Sequence, residues 1–111
     1  MKKISLTDVN AYEAPGHFAM TAMRLHGKEE TGATKFWIGL SHFLPGGGAD
    51  MAAPPGEKVY YVLDGEVTIK TKTEEIILGK NDLIYIEPGE ERAIVNNTKL
   101  PASMLVVYSY E

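Results

Sequence analysis

Residues Pro45 to Gly65 read PGGGADMAAPPGEKVYYVLDG, and this stretch decides the fold. It opens on a glycine-rich turn at Pro45–Gly48 and breaks again at Pro54–Gly56. It then runs into EKVYYVL, rich in the β-branched and aromatic residues that suit a pleated, half-buried surface. Asp64–Gly65 closes it. Both residues tolerate positive φ, so the pair predicts a hairpin into the next run, EVTIKT.

The same alternation of turn and strand extends in both directions. FAMTAMRL (Phe18 to Leu25) and KFWIGLSHFL (Lys35 to Leu44) precede the stretch. EEIIL (Glu74 to Leu78), LIYIE (Leu83 to Glu87), ERAIVN (Glu91 to Asn96) and ASMLVVYSY (Ala102 to Tyr110) follow it. Turn residues separate them, at Pro15–Gly16, His26 to Thr34, Gly79 to Asp82, Pro88–Gly89 and Lys99 to Pro101. No long segment has helical periodicity. The spacing predicts an all-β barrel or sandwich in one domain over residues 1–111, with an arm over about 1–17 and a barrel over about 18–111.

Composition bounds the function. The chain of 111 residues carries a net charge of −4, which argues against a nucleic-acid or anionic-membrane surface. It has no cysteine, so disulfides and Cys-ligated metal centres are excluded. No apolar run approaches a membrane span, and the N-terminus lacks the apolar core of a signal peptide; the expectation is a cytoplasmic protein with no membrane partner.

In EKVYYVL, Lys58, Tyr60 and Val62 share one face and Val59, Tyr61 and Leu63 the other. In ASMLVVYSY, Met104, Val106 and Tyr108 oppose Leu105 and Val107. Both faces are largely apolar, yet a small barrel covers only its inside. A homodimer packed through its sheets is therefore expected.

Pro45 to Gly65 and the later stretch Gly79 to Asn96, GKNDLIYIEPGEERAIVN, together resemble the two motifs of the cupin superfamily. The resemblance covers about half of the chain and implies an antiparallel jelly-roll β-barrel. It departs from the pattern at Glu87–Pro88–Gly89, where the proline is displaced by one. In that family the first motif supplies two His and a Glu to a metal, and the second supplies one more His. Laid on this chain, those positions fall on Ala52, Pro54, Lys58 and Arg92. Ala and Pro offer no lone pair, and charged Lys and Arg repel a cation. The expectation is therefore no metal and no cofactor.

The resemblance turns Lys58 inward. A Lys in an apolar interior has its pKa lowered by lost hydration and by a neighbouring Arg92, and can then serve as a base or form a Schiff base. If charged, Lys58 and Arg92 form an anion clamp. The bland alternatives are an exposed Lys58, or ion pairs with Glu90 or Glu91. His42, on a stripe with Phe36, Ile38, Leu40 and Leu44, is either a core histidine or a proton carrier. Tyr60 could polarise a substrate oxygen. Met51, Tyr85 and Met104 are candidate lining residues alongside Arg92.

The function expected is binding of a small anionic or carbonyl-bearing metabolite, with metal-independent isomerase-, lyase- or decarboxylase-type proton chemistry by Lys58, His42 and Tyr60. A non-catalytic sensing or binding module is the alternative. A metal enzyme with an unusual site, built on His17, His42 and Glu57, is a second.

Overall fold

The computed structural model describes residues 1–110. Its strands are β1 (Ala11–Tyr12), β2 (His17–His26), β3 (Phe36–Ala52), β4 (Lys58–Asp64), β5 (Val67–Lys70), β6 (Glu75–Leu78), β7 (Leu83–Ile86), β8 (Arg92–Val95) and β9 (Ala102–Ser109). A single 3-10 turn, Leu6–Asp8, precedes them. The strands form one continuous, nearly closed antiparallel barrel in the order β6-β5-β8-β3-β9-β4-β7, with β2 on β3 and β1 on β2. No helix among the described residues is long and apolar enough to cross a membrane.

Two sequence expectations need correction. Pro45–Gly48 does not end a strand. β3 runs through it for 17 residues, so one strand serves both halves of the barrel. Its first half, Phe36 to Phe43, lies between β2 and β9; its second half, from Gly48, lies between the start of β2 and β8. The glycines make this bend instead of a turn. Gly46 takes a φ of 82°. A Cβ on Gly47 would meet the Ala19 carbonyl, and one on Gly48 the Ile94 carbonyl.

Asn96, fully buried, clamps the same bend. Its side-chain amide donates to the carbonyls of Phe43 (3.2 Å) and Leu100 (2.8 Å), while its oxygen accepts from the Thr98 amide (2.9 Å) and hydroxyl (2.8 Å).

Asp64–Gly65, the second correction, makes no hairpin. Gly65 does take a positive φ of 78°. But β4 pairs with β7 and β9, whereas β5 pairs with β6 and β8. The pair therefore marks a corner where the chain crosses between sheets. Local turn chemistry fixes a change of direction, not a partner strand.

The core is the inward face of these strands. Phe43, Tyr60, Val62, Val67, Ile69, Leu78, Ile86, Ile94, Met104 and Val106 all lie within it. On the outside, Leu63, Leu83 and Tyr85 of β4 and β7 remain exposed.

Candidate functional site

β4 turns Lys58, Tyr60 and Val62 inward, as period-two alternation requires. Opposite them, β3 presents Trp37, Ser41 and Phe43, β9 presents Met104 and Val106, and β8 presents Ile94. Together they enclose a deep lobe of about 170 Å³. A second lobe of about 370 Å³ opens toward the mouth between Asp50, Met51, Ala52, Pro54, Arg92 and Ile94. Pro15, His17, Lys58 and Tyr60 line both lobes, so they form one chamber with a waist at Lys58 and Tyr60.

Arg92 is 94% removed from solvent, at 6% exposure. Its Nη1 donates to the Ala52 carbonyl at 2.8 Å and its Nη2 to the Tyr60 hydroxyl at 3.1 Å. Its Nε has no partner. Among the described residues no carboxylate pairs with it: Glu91 bonds Lys72 at 3.1 Å, and Glu90 accepts from the Glu87 amide. The internal ion pair that would have neutralised Arg92 is thus absent from the described chain. A buried guanidinium that no carboxylate neutralises leaves its positive charge uncompensated at the outer lobe it lines.

Lys58 is half-buried. Its Nζ lies 4.8 Å from the centre of the Tyr108 ring and 5.8 Å from that of Tyr60. Burial first, and the Arg92 charge second, pull its pKa from 10.5 to about 8. Burial pushes the Tyr60 phenol up, against the opposing pull of Arg92. At neutral pH Tyr60 is a phenol held by Arg92, able to donate its proton in a hydrogen bond.

The other candidates divide. Met104 is buried at the wall of the deep lobe, and Met51 sits exposed at the outer lobe. Tyr85 is not at the chamber. It pairs with Val59, so the inward residues of β7 are Ile84 and Ile86, which pair with Tyr60 and Lys58. Its hydroxyl lies outside and donates to Glu57 Oε2 at 2.6 Å.

His42 is also misplaced by the sequence reading. It pairs with Ser103, its Nδ1 is 2.9 Å from the Ser103 hydroxyl oxygen, and it does not line the chamber. Most of the cavity lining of β3 is the complementary stripe, Trp37, Gly39, Ser41 and Phe43; of His42's own stripe only Leu40 reaches it. Phe36, Ile38, Leu40 and Leu44 looked like the core stripe because a strand with two apolar faces gives alternation no sign. His17, His42 and Glu57 do not converge, and no three described His, Asp or Glu residues form a ligand group. His17, lining both lobes, is the chamber residue that sequence reasoning undervalued.

Ala52, Pro54, Lys58 and Arg92, the four positions where the cupin resemblance would place ligands, all line the outer lobe. Two are hydrocarbon and two are basic. This donor set does not fit a metal cation.

A larger hollow of about 500 Å³ lies between the N-terminal arm and the Glu29–Glu30 loop and shares Tyr12 and Arg24 with the deep lobe. It contains neither Lys58 nor Arg92.

Comparison with known proteins agrees with this geometry. A family model described as the Cupin domain matches residues 39–108. A β-D-galactosidase of Mycobacterium tuberculosis is 38% identical over 110 residues, 99% of this chain and 95% of that one. The polyketide cyclase RemF of Streptomyces resistomycificus superposes with a TM-score of 0.88 at 26% identity, over 100% of this chain and 80% of that one. A sugar phosphate isomerase of Silicibacter pomeroyi gives a TM-score of 0.82 at 20% identity, over 99% and 76%, a likeness of fold alone.

Proposed function

The chain belongs to the cupin family, and from that premise we propose that it binds a small anionic or carbonyl-bearing metabolite in its barrel and performs metal-independent proton chemistry on it. One observation carries this reading: the buried Arg92, unpaired with any carboxylate among the described residues, lines a lobe that also holds Lys58. Desolvating two cations without a carboxylate is costly, and a ligand anion offsets that cost. Arg92 anchors the negative group. Lys58, with its pKa near 8, stabilises developing charge as an ammonium or attacks a carbonyl as an amine. Tyr60, bonded to Arg92, offers its hydroxyl to a substrate oxygen. Isomerisation, lyase action, cyclisation and decarboxylation all draw on this stabilisation of developing negative charge, and those that remove a C–H proton need a base as well.

Native mass spectrometry of the protein as isolated is the test. A retained acidic or carbonyl metabolite, lost in Arg92→Met, supports the reading. An empty chamber that also ignores pyruvate and glyoxylate at millimolar concentration refutes it. In a binding module the ligand leaves unchanged after incubation; in an enzyme it is converted.

The relative from M. tuberculosis motivates a second reading, a β-galactoside ligand. Glycoside hydrolysis by the common route needs two carboxyl groups flanking the bond. Among the described residues the chamber wall has one, Asp50 at the mouth, while Glu57 lies in an outer groove. Turnover of p-nitrophenyl β-D-galactoside, abolished by Asp50→Asn, would favour this second reading over the first.

The apolar outer residues Val59, Leu63, Leu83 and Leu105 support a second proposal carried by the fold, a homodimer packed through this sheet.

A further inference from the structure

We propose that His17, the exposed first residue of β2 and part of the wall of both lobes, is the proton acceptor of this site, its Nε2 taking a proton from the carbon beside the carbonyl of the bound ligand. The inference rests on the ligand class proposed above and narrows it to carbonyl compounds with a removable α-proton.

The ring's chemistry follows from one hydrogen bond. His17 Nδ1 lies 2.9 Å from the Pro15 carbonyl oxygen. A carbonyl can only accept, so Nδ1 carries the hydrogen. In the neutral ring that leaves the lone pair on Nε2. The backbone around it is tied down. Asp50 donates its amide to the Gly16 carbonyl at 2.8 Å, and the His17 amide donates to Ala14 at 3.2 Å. His17 also pairs with Ala49 at the start of β2. The imidazole is therefore held at the mouth, and it lines both lobes.

Elimination points the same way. The titratable groups sharing the two lobes with His17 are Lys58, Tyr60, Arg92, Asp50, Tyr12 and Arg24. Arg92 and Arg24 keep their protons. Tyr60 is a phenol pushed further from ionisation. Lys58, at about 8, is mostly an ammonium at neutral pH. The Tyr12 oxygen accepts from Arg24 at 3.3 Å. Asp50 lines only the outer lobe, whereas His17 lines both, and imidazole is the commonest side-chain base of proton transfer. In the step, the C–H bond breaks and an Nε2–H bond forms. The C–H electron pair becomes a C=C bond, and the carbonyl becomes an enolate oxygen beside Lys58. A carboxylate on the same molecule rests on Arg92. Return of the proton to another position gives isomerisation.

Pyruvate in deuterium oxide is the probe, with loss of the methyl proton signal followed by NMR. Wild-type protein should accelerate exchange over buffer. His17→Gln should lose at least tenfold of that rate, with pyruvate saturating at a concentration within twofold of wild type. His42→Gln, on the outer face, should behave as wild type. Exchange that survives His17→Gln overturns the assignment, as does exchange lost only in Asp50→Asn. Binding without any exchange in wild type overturns it too. If wild-type protein does not bind pyruvate at all, the Lys58–Arg92 reading is what fails. Long-range proton–nitrogen NMR of the free protein then decides His17 by itself: an Nε2-protonated neutral ring refutes the proposal, and an Nδ1-protonated one supports it.

Discussion

At pH 7 the native barrel holds Lys58 as an ammonium that its surroundings disfavour, and Lys58→Met should relieve that cost. The folded pKa is about 8 against 10.5 for the free side chain. At ~1.4 kcal/mol per pH unit, that difference corresponds to ~3 kcal/mol. Lys58 keeps part of its solvent shell, so ~2 kcal/mol is the expected effect. The direction is set by proton counting. Between pH 8 and 10.5 the unfolded chain holds a proton on Lys58 that the native state has shed, so wild-type stability rises with pH there. Below pH 8 both states are protonated and the penalty is constant and complete. Lys58→Met should therefore be ~2 kcal/mol more stable than wild type at pH 7, with Tm higher by roughly 8 °C or more. The gap should close toward pH 10.5. Met keeps contact with the Tyr108 and Tyr60 rings through its sulfur, which limits packing loss. Urea unfolding of both proteins at pH 7, 8, 9 and 10 isolates Lys58, because tyrosine ionisation cancels in the difference. A variant no more stable than wild type at pH 7, or a gap that widens with pH, would refute a desolvated Lys58.

Arg92→Lys should weaken retained-ligand or pyruvate affinity at least tenfold by calorimetry, because an ammonium cannot hold Ala52, Tyr60 and a carboxylate with one planar fork. Asn96→Ala should cost ~3 kcal/mol in chemical denaturation, because it strips partners from two carbonyls and from Thr98. Tyr85→Phe should leave ligand affinity within twofold, since its hydroxyl serves Glu57 outside the barrel. Sedimentation at micromolar concentration should show a dimer, and Leu83→Glu on the exposed face should shift it to monomer.

That Lys58, Tyr60 and Val62 share a face was legible because EKVYYVL is a short strand with turn residues on both sides; that this face points inward came from the cupin resemblance, since both faces are apolar. Arg92 was legible through the spacing of the second motif, and it does donate to Ala52, its register partner. β3 was not. Its KFWIGLSHFL half has apolar residues at both parities, so period two could not say which stripe faced the chamber, and the wrong choice brought His42 in. Its PGGG segment carries the composition of a turn. Whether glycines end a strand or let two neighbours press against it depends on Ala19 and Ile94, residues 28 and 46 positions away from Gly47 and Gly48. LIYIE failed for a similar reason, since Tyr85 and Ile86 are equally good strand residues. His17 was weighed only as a metal ligand, because its place beside the chamber comes from pairing with Ala49 of β3, a non-local contact with no local signature.

The length of β3 has a consequence for how the molecule comes apart. Because one uninterrupted strand is hydrogen-bonded to β2, β8 and β9, neither half of the barrel has a boundary at which to let go of the other. Slow amide exchange along Phe36 to Ala52 should therefore report a single melting unit, and loss of the ligand chamber should coincide with loss of the whole structure.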